Sequence, residues 1–120
     1  MSDLTTQGAV DAAEGLMSLY TSGTTRIGIG DSAALFAIAQ TGLQGSNTAY
    51  KGVDSITRSG NRIIAISIFG TTEGNGFAVR EVCVDRTTRM LVRNVPAVSI
   101  PAKTVAEEWT FTINIDFTPG

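Results

Sequence analysis

The sequence predicts an all-β sandwich or jelly-roll-like domain with a short N-terminal helix or arm. Three observations predict it. Residues 109–117 alternate strictly, with Trp109, Phe111, Ile113, Ile115 and Phe117 at the odd positions and Thr110, Thr112, Asn114 and Asp116 between them. A period of two is that of a strand with one face on a core, because successive side chains leave opposite faces of a sheet. Several more β-like runs follow one another at close spacing, separated by turn signals, with no helix-length pattern between them. Helical periodicity is convincing only near the start of the chain.

That first element spans residues 6–20. Thr5 or Thr6 can cap it, and Asp11 and Glu14 lie toward its N-terminal half, where the helix dipole favours acids. Val10, Ala13, Leu16, Met17 and Tyr20 recur at helical spacing on one face, and the Thr-Ser-Gly-Thr-Thr run at 21–25 stops it. Residues 1–25 hold three acids and no Lys or Arg. The expected division is a helix or arm over 1–23 and a β-sandwich domain over 24–120. The helix either packs on the sheet or docks on a neighbouring subunit, with Leu16, Met17 and Tyr20 as apolar anchors.

Residues 24–30 read as a short strand ended by Gly30-Asp31-Ser32. Over 33–45, Ala34, Leu35, Ile38 and Leu43 fit either a turn of helix or an apolar loop lying on the sheet. Ser59-Gly60-Asn61 is a tight-turn signal, so 50–58 and 62–69 are expected to form a hairpin. Residues 62–69 are apolar on both faces, which predicts a strand covered on both sides. Residues 71–76 form a Gly-rich loop and 77–85 the next strand. A turn over 85–89 leads to a strand at 90–95. Pro96 and Pro101 break the connection to the last strand.

Composition narrows the chemistry. A chain of 120 residues with 42% apolar residues can bury one core without staples. His is absent, which removes the commonest general acid/base and metal ligand. The single Cys, Cys83, excludes an intrachain disulfide and a cysteine zinc site; mid-strand, it reads as a buried inert thiol. A net charge of −2 gives no footprint for nucleic acid or an anionic membrane. No apolar run approaches the ~20 residues of a membrane helix, and residues 1–7 do not resemble a signal peptide. A soluble product made in the cytosol is expected.

No motif carries catalysis. Gly28-Ile29-Gly30-Asp31-Ser32 lacks the Lys of a phosphate loop and the third Gly of a dinucleotide fingerprint, so it reads as a turn. Asp31 with Asp54, or Glu107 with Glu108, are carboxylate pairs whose spacing fixes neither on one site. Arg86, Arg89 and Arg93 form a local basic patch read as solvated turn residues, without the aromatic platform of a nucleic-acid groove. Arg80 and Glu81 each place a charge on an otherwise apolar strand face. Such a charge is solvated at an edge, or paired with another strand or another subunit.

In order along the chain stand Ile27-Gly28-Ile29-Gly30-Asp31, Thr41-Gly42-Leu43-Gln44-Gly45, residues 54–61, Gly74-Asn75-Gly76, Val79-Arg80-Glu81-Val82, Met90-Leu91-Val92-Arg93, Ile100-Pro101-Ala102-Lys103-Thr104 and Trp109-Thr110-Phe111-Thr112-Ile113. This collinear order, over about residues 24–116, resembles small tailed-bacteriophage virion proteins of the tail-fibre-like, head-fibre and capsid decoration type. Cys83-Val84-Asp85 departs from the Gly/Phe-rich run such proteins often carry there. The resemblance implies a non-enzymatic structural protein of a phage virion, without cofactor or metal. A capsid decoration (cement) or head-fibre protein that binds the shell as an oligomer is the favoured form. A tail-fibre, collar or baseplate component is the alternative, and a carbohydrate-binding module a third, against which stands the commitment of Trp109 and Phe111 to the core. The implied partners are a second copy, with a trimer favoured, and the major capsid protein or tail proteins of the particle. Leu16, Met17, Tyr20, Arg80, Glu81, Glu107 and Glu108 are the expected interface residues.

Overall fold

The computed structural model describes residues 4–87 and 89–119. The start of the expected arm, Thr88 of the expected 85–89 turn, and residue 120 lie outside the described residues. Among those described, the order is α1 (Thr6–Met17), β1 (Arg26–Gly30), β2 (Thr48–Gly52), β3 (Ser55–Ser59), β4 (Arg62–Phe69), β5 (Glu81–Arg86), β6 (Arg89–Asn94) and β7 (Trp109–Asp116). Two antiparallel sheets result, a four-stranded one in the order β2-β1-β5-β6 and a three-stranded one in the order β3-β4-β7. The architecture is the all-β sandwich with one short helix that the alternation predicts.

The core lies between the sheets. Ile27, Ile29, Val82 and Val84 enter from the first sheet, and Ile63, Ala65, Phe69 and Ile115 from the second. The β3–β4 hairpin turns on two residues, Gly60 and Asn61, between paired Ser59 and Arg62. Gly60 has φ +61 and Asn61 does not share it, the pattern of a type II′ turn whose first central residue must tolerate positive φ. The run expected as one strand over 50–58 is split. Val53 and Asp54 carry the chain from one sheet to the other, and Val53 is buried at the crossing. Leu91 is the extra residue of a bulge, since Val84 pairs with Val92 and Asp85 with Met90.

The helix ends three residues earlier than expected. Thr5 caps it, its hydroxyl accepting from Gly8 N at 2.9 Å. Because it starts at Thr6, its first turn holds no acid. Asp11 accepts instead from Gln7 one turn before it, and Glu14 bridges Arg58 of β3 at 3.1 Å. Ala9 and Ala13 are fully buried, Ala13 within the main core, and the helix lies against β3 and β4.

Two packing expectations need correction. Trp109 and Phe111 are half-buried, and of the odd residues of β7 only Ile115 is buried. β7 is an edge strand, so its inner face is covered from one side only. In β4, Ile63, Ala65, Ser67 and Phe69 are buried, but Ile64 and Ile66 are half-buried and Ile68 is 37% exposed. The outward isoleucines pair across the strands with the polar residues Thr110, Thr112 and Asn114 on one side and Ser55 and Thr57 on the other. The strand is not covered on both sides.

Candidate interaction site

The outer face of the four-stranded sheet is polar, and β1 explains how. Its outward residues are Arg26, Gly28 and Gly30. Gly28 lies between Tyr50 and Cys83, and Gly30 beside Glu81. A Cβ on Gly28 would sit 2.7–2.8 Å from the Tyr50 ring and the Cys83 sulfur, and one on Gly30 would collide with the Glu81 carboxylate. The two glycines leave a trough that the large outward side chains of β2, β5 and β6 fill.

Glu81 and Arg93 occupy that trough, Glu81 Oε1 at 2.9 Å from Arg93 Nε, both side chains fully buried. What buries them is the loop 31–47, which folds back over the sheet. The Glu81 carboxylate accepts from the backbone N–H groups of Ser32 (3.3 Å), Gln44 (2.8 Å) and Gly45 (2.7 Å). Arg93 donates to the carbonyls of Ala34 (2.8 Å) and Ser32 (3.3 Å) and to Gln40 Oε1 (3.5 Å). A buried ion pair is tolerable when the remaining lone pairs and N–H groups are also satisfied, as here. At the loop base, Asp31 accepts from the backbone and side chain of Asn47 at 3.2 and 2.7 Å, contacts that hold its carboxyl below the usual range.

The loop that covers this pair presents its own apolar side chains to solvent. Leu35 is 86% exposed, Phe36 59% and Ile38 94%. The apolar loop expected over 33–45 does lie on the sheet, but it is fixed there by backbone and polar groups, and its largest side chains point away. No charged residue occurs from Ser32 to Tyr50.

Beside the pair, Arg26 makes a two-pronged contact with Asp85, both hydrogen bonds 2.9 Å, and lies 4.1 Å over the Tyr50 ring. The hydrogen bond to Asp85 raises the Arg26 pKa. Cys83 is buried between them; desolvation, with Asp85 next in effect, pushes its thiol up to about 12.

A second feature lies at the opposite edge of the core. The first sheet ends on β6 and the second on β7, and the two edges do not meet. Between them runs a groove of about 480 Å³, walled by Val82, Val92, Ile100, Phe111 and Ile113 and rimmed by Asn94, Thr112 and Asn114. It accounts for the half-burial of Phe111 and Ile113.

The expected interface residues fall in different places. Leu16 and Met17 pack partly against the chain's own core. Tyr20 is 6% exposed, with its hydroxyl 3.5 Å from the Arg89 carbonyl and the Arg86 guanidinium 5.7 Å from its ring. Glu81 is wholly internal. Arg80 is exposed and donates weakly to the Asp31 carbonyl at 3.5 Å. Glu107 and Glu108 are exposed before β7. Glu107 accepts from Thr104 N at 2.9 Å, a bond that lowers its pKa. Arg93 is not a solvated member of a basic patch. Asp31 and Asp54 serve separate local ends, since Asp54 accepts from Ile68 N at 2.7 Å on the other sheet. Among the described residues no group of three or more metal-ligating side chains gathers.

Lys103 also escaped the sequence reading. It is 1% exposed and donates to the Gly70 carbonyl (2.6 Å), Asn75 Oδ1 (2.7 Å) and the Thr104 carbonyl (3.4 Å), tying the Gly-rich loop to the segment before β7. Its one signal was a lysine amid Ile100, Pro101, Ala102 and Val105. For Arg93 the signal was a charge within the largely apolar run 90–95, four residues past the 85–89 turn that follows Glu81's strand.

No protein-family model matches the chain, and no curated protein matches it.

Proposed function

We propose that this chain is a non-enzymatic structural protein of a tailed-phage particle, a capsid decoration or head-fibre protein held on the shell as a homo-oligomer, with a trimer favoured. The observation that carries the reading is the loop tip. Leu35, Phe36 and Ile38 are exposed on a backbone pinned by the buried Glu81–Arg93 pair. An ion pair, three hydrogen bonds accepted by Glu81 and three donated by Arg93 are spent on fixing an uncharged, apolar projection. Such a projection exposes apolar area at a cost unless another protein covers it. Particle lattices supply that cover many times over, and repetition lets a small contact act with high avidity.

The collinear resemblance over residues 24–116 supports the phage assignment. The internal use of every buried charge supports a scaffold rather than a reaction centre, because polar groups poised for chemistry are commonly held under strain or with perturbed titration in an accessible cleft.

The test is copy number and location. Quantitative mass spectrometry of purified particles, with labelled antibody in electron microscopy, should give hundreds of copies spread over the shell. A few to a few dozen copies at one vertex would instead assign the chain to the tail, collar or baseplate. Absence from purified particles would overturn the virion reading.

A further inference from the structure

We propose that the loop tip of one copy, Leu35, Phe36 and Ile38, seats in the β6/β7 groove of a second copy, joining the chains head to tail. The inference deepens the homo-oligomeric reading above and rests on it.

The chain carries both halves of this contact. Among the described residues the tip holds the two most exposed large hydrophobic side chains, Leu35 at 86% and Ile38 at 94% exposure. The groove is the place where core-type side chains, Val82, Val92, Phe111 and Ile113, remain open to solvent. Neither half can satisfy the other within one molecule. The loop lies on the outer face of the four-stranded sheet, held there by Arg93 of β6, whereas Val82 and Val92 wall the groove from the inner face of the same sheet.

Electrostatics fits the match. The loop has no charge between Asp31 and Lys51, and the groove walls and rim are uncharged. Closure therefore desolvates no ion, the largest penalty in most buried contacts. The rim side chains Asn94, Thr112 and Asn114 supply hydrogen-bonding groups for loop backbone entering beside them. The anchored backbone also reduces the ordering cost on binding, since the bound shape is already held.

Symmetry follows from the geometry. Tip and groove are different patches, so the contact is heterologous and repeats from copy to copy. If the rotation closes after three copies the product is a ring, and β6 and β7, one edge strand of each sheet, are shielded within it.

The experiment uses the full chain and four variants. Light scattering of the wild type at micromolar concentration should give a multiple of 12.6 kDa. Ile38→Asp changes a side chain that is almost wholly in solvent, so circular dichroism should be unchanged while self-association weakens about tenfold or more. The double variant Ile38→Cys/Asn114→Cys, oxidised with diamide, should give a ladder of covalent multimers. Each single cysteine variant should stay monomeric on a non-reducing gel, with Cys83 buried and silent. A folded Ile38→Asp that keeps the wild-type mass overturns the tip contact and leaves oligomerisation standing. Cross-linking by Ile38→Cys alone overturns the head-to-tail geometry in favour of tip against tip. A wild type of 12.6 kDa overturns self-contact, and the virion reading then stands or falls on copy number. If Ile38→Asp abolishes shell binding without changing the mass, the tip's occupant is the shell protein and the second-copy assignment is overturned.

Discussion

Glu81 and Arg93 meet diagonally across β5 and β6, 2.9 Å apart, with neither side chain reaching solvent. Three loop amides converge on the carboxylate and loop oxygens converge on the guanidinium. The pair therefore acts as a joint between the sheet and the loop 31–47, and its disruption separates two effects. Arg93→Met leaves a buried carboxylate unpaired and should cost about 3–5 kcal/mol in a denaturant titration. The double variant Glu81→Met/Arg93→Met removes both charges and should recover much of that loss. It should not recover the loop, whose amides at Ser32, Gln44 and Gly45 lose their acceptor. Hydrogen exchange over residues 32–45 should therefore stay fast in the double variant even where global stability returns.

Glycines around the joint supply a second test. Gly45→Ala and Gly30→Ala both place a methyl group against the Glu81 carboxylate, and Gly45→Ala also against Asp31. Each should lower stability by about 1–3 kcal/mol, the usual cost of overpacking. Gly15→Ala is the control. Its Cβ meets nothing within 4 Å and the site is inside α1, so it should raise stability by about 0.5–1 kcal/mol. Parallel melting curves of the three variants check the contrast.

What could be read in the sequence followed local period. The alternation of β7, the β3–β4 turn at Gly60 and the face of α1 are short-range patterns, and each appears close to its expected place. Sheet membership is not local. The split of 50–58 between two sheets depends on a buried Val53 crossing the sandwich, and nothing in a weakly alternating run marks it. The edge position of β7, which leaves Trp109 and Phe111 half-buried, is likewise a property of strand order. The site was half legible. A charge on an apolar face at Glu81 left solvation at an edge and pairing both open, and the partner it has, Arg93, is brought beside it by the β5–β6 register. Leu35 and Ile38 read as part of a turn of helix or of an apolar loop lying on the sheet; their exposure follows from a loop fixed through its backbone.

The edge position of β7 sets an order among core aromatics. Phe69 is fully buried, and Phe111 meets it edge-on with ring centres 5.5 Å apart. Phe69→Ala should cost about 3–5 kcal/mol, the range for an emptied core site. Phe111→Ala, bordering the open groove, should cost less, about 2 kcal/mol, since solvent or neighbouring side chains can fill the space. Equal losses in denaturant titrations would mean that the groove is closed in solution.

Titration should separate surface contacts from the buried thiol. Hydrogen bonds from Asn47 lower the Asp31 pKa, those from Lys51 and then Gly70 lower that of Glu73, and those from Arg62 lower that of Asp116. A depressed carboxylate binds fewer protons folded than unfolded, so its contribution is present above the unfolded value, about 4, and is lost as pH falls through the folded value. Thermal midpoints should hold from pH 7 to about 5 and fall below about 4, less steeply in high salt because these groups are exposed. Cys83 has the opposite sign. Its thiol stays protonated in the fold to about 12, while in the unfolded chain it ionises from its ordinary value of 9.0. Between those values the folded state holds the extra proton, so stability should decline as pH rises above 9.0. The same burial makes alkylation a reporter of unfolding. At pH 8, iodoacetamide should modify Cys83 only at the rate of opening, and added denaturant should accelerate it in step with the loss of structure. Rapid labelling of the native protein at that pH would show that the sheet's outer face, and with it the loop over Glu81 and Arg93, opens far more readily than its hydrogen bonding predicts.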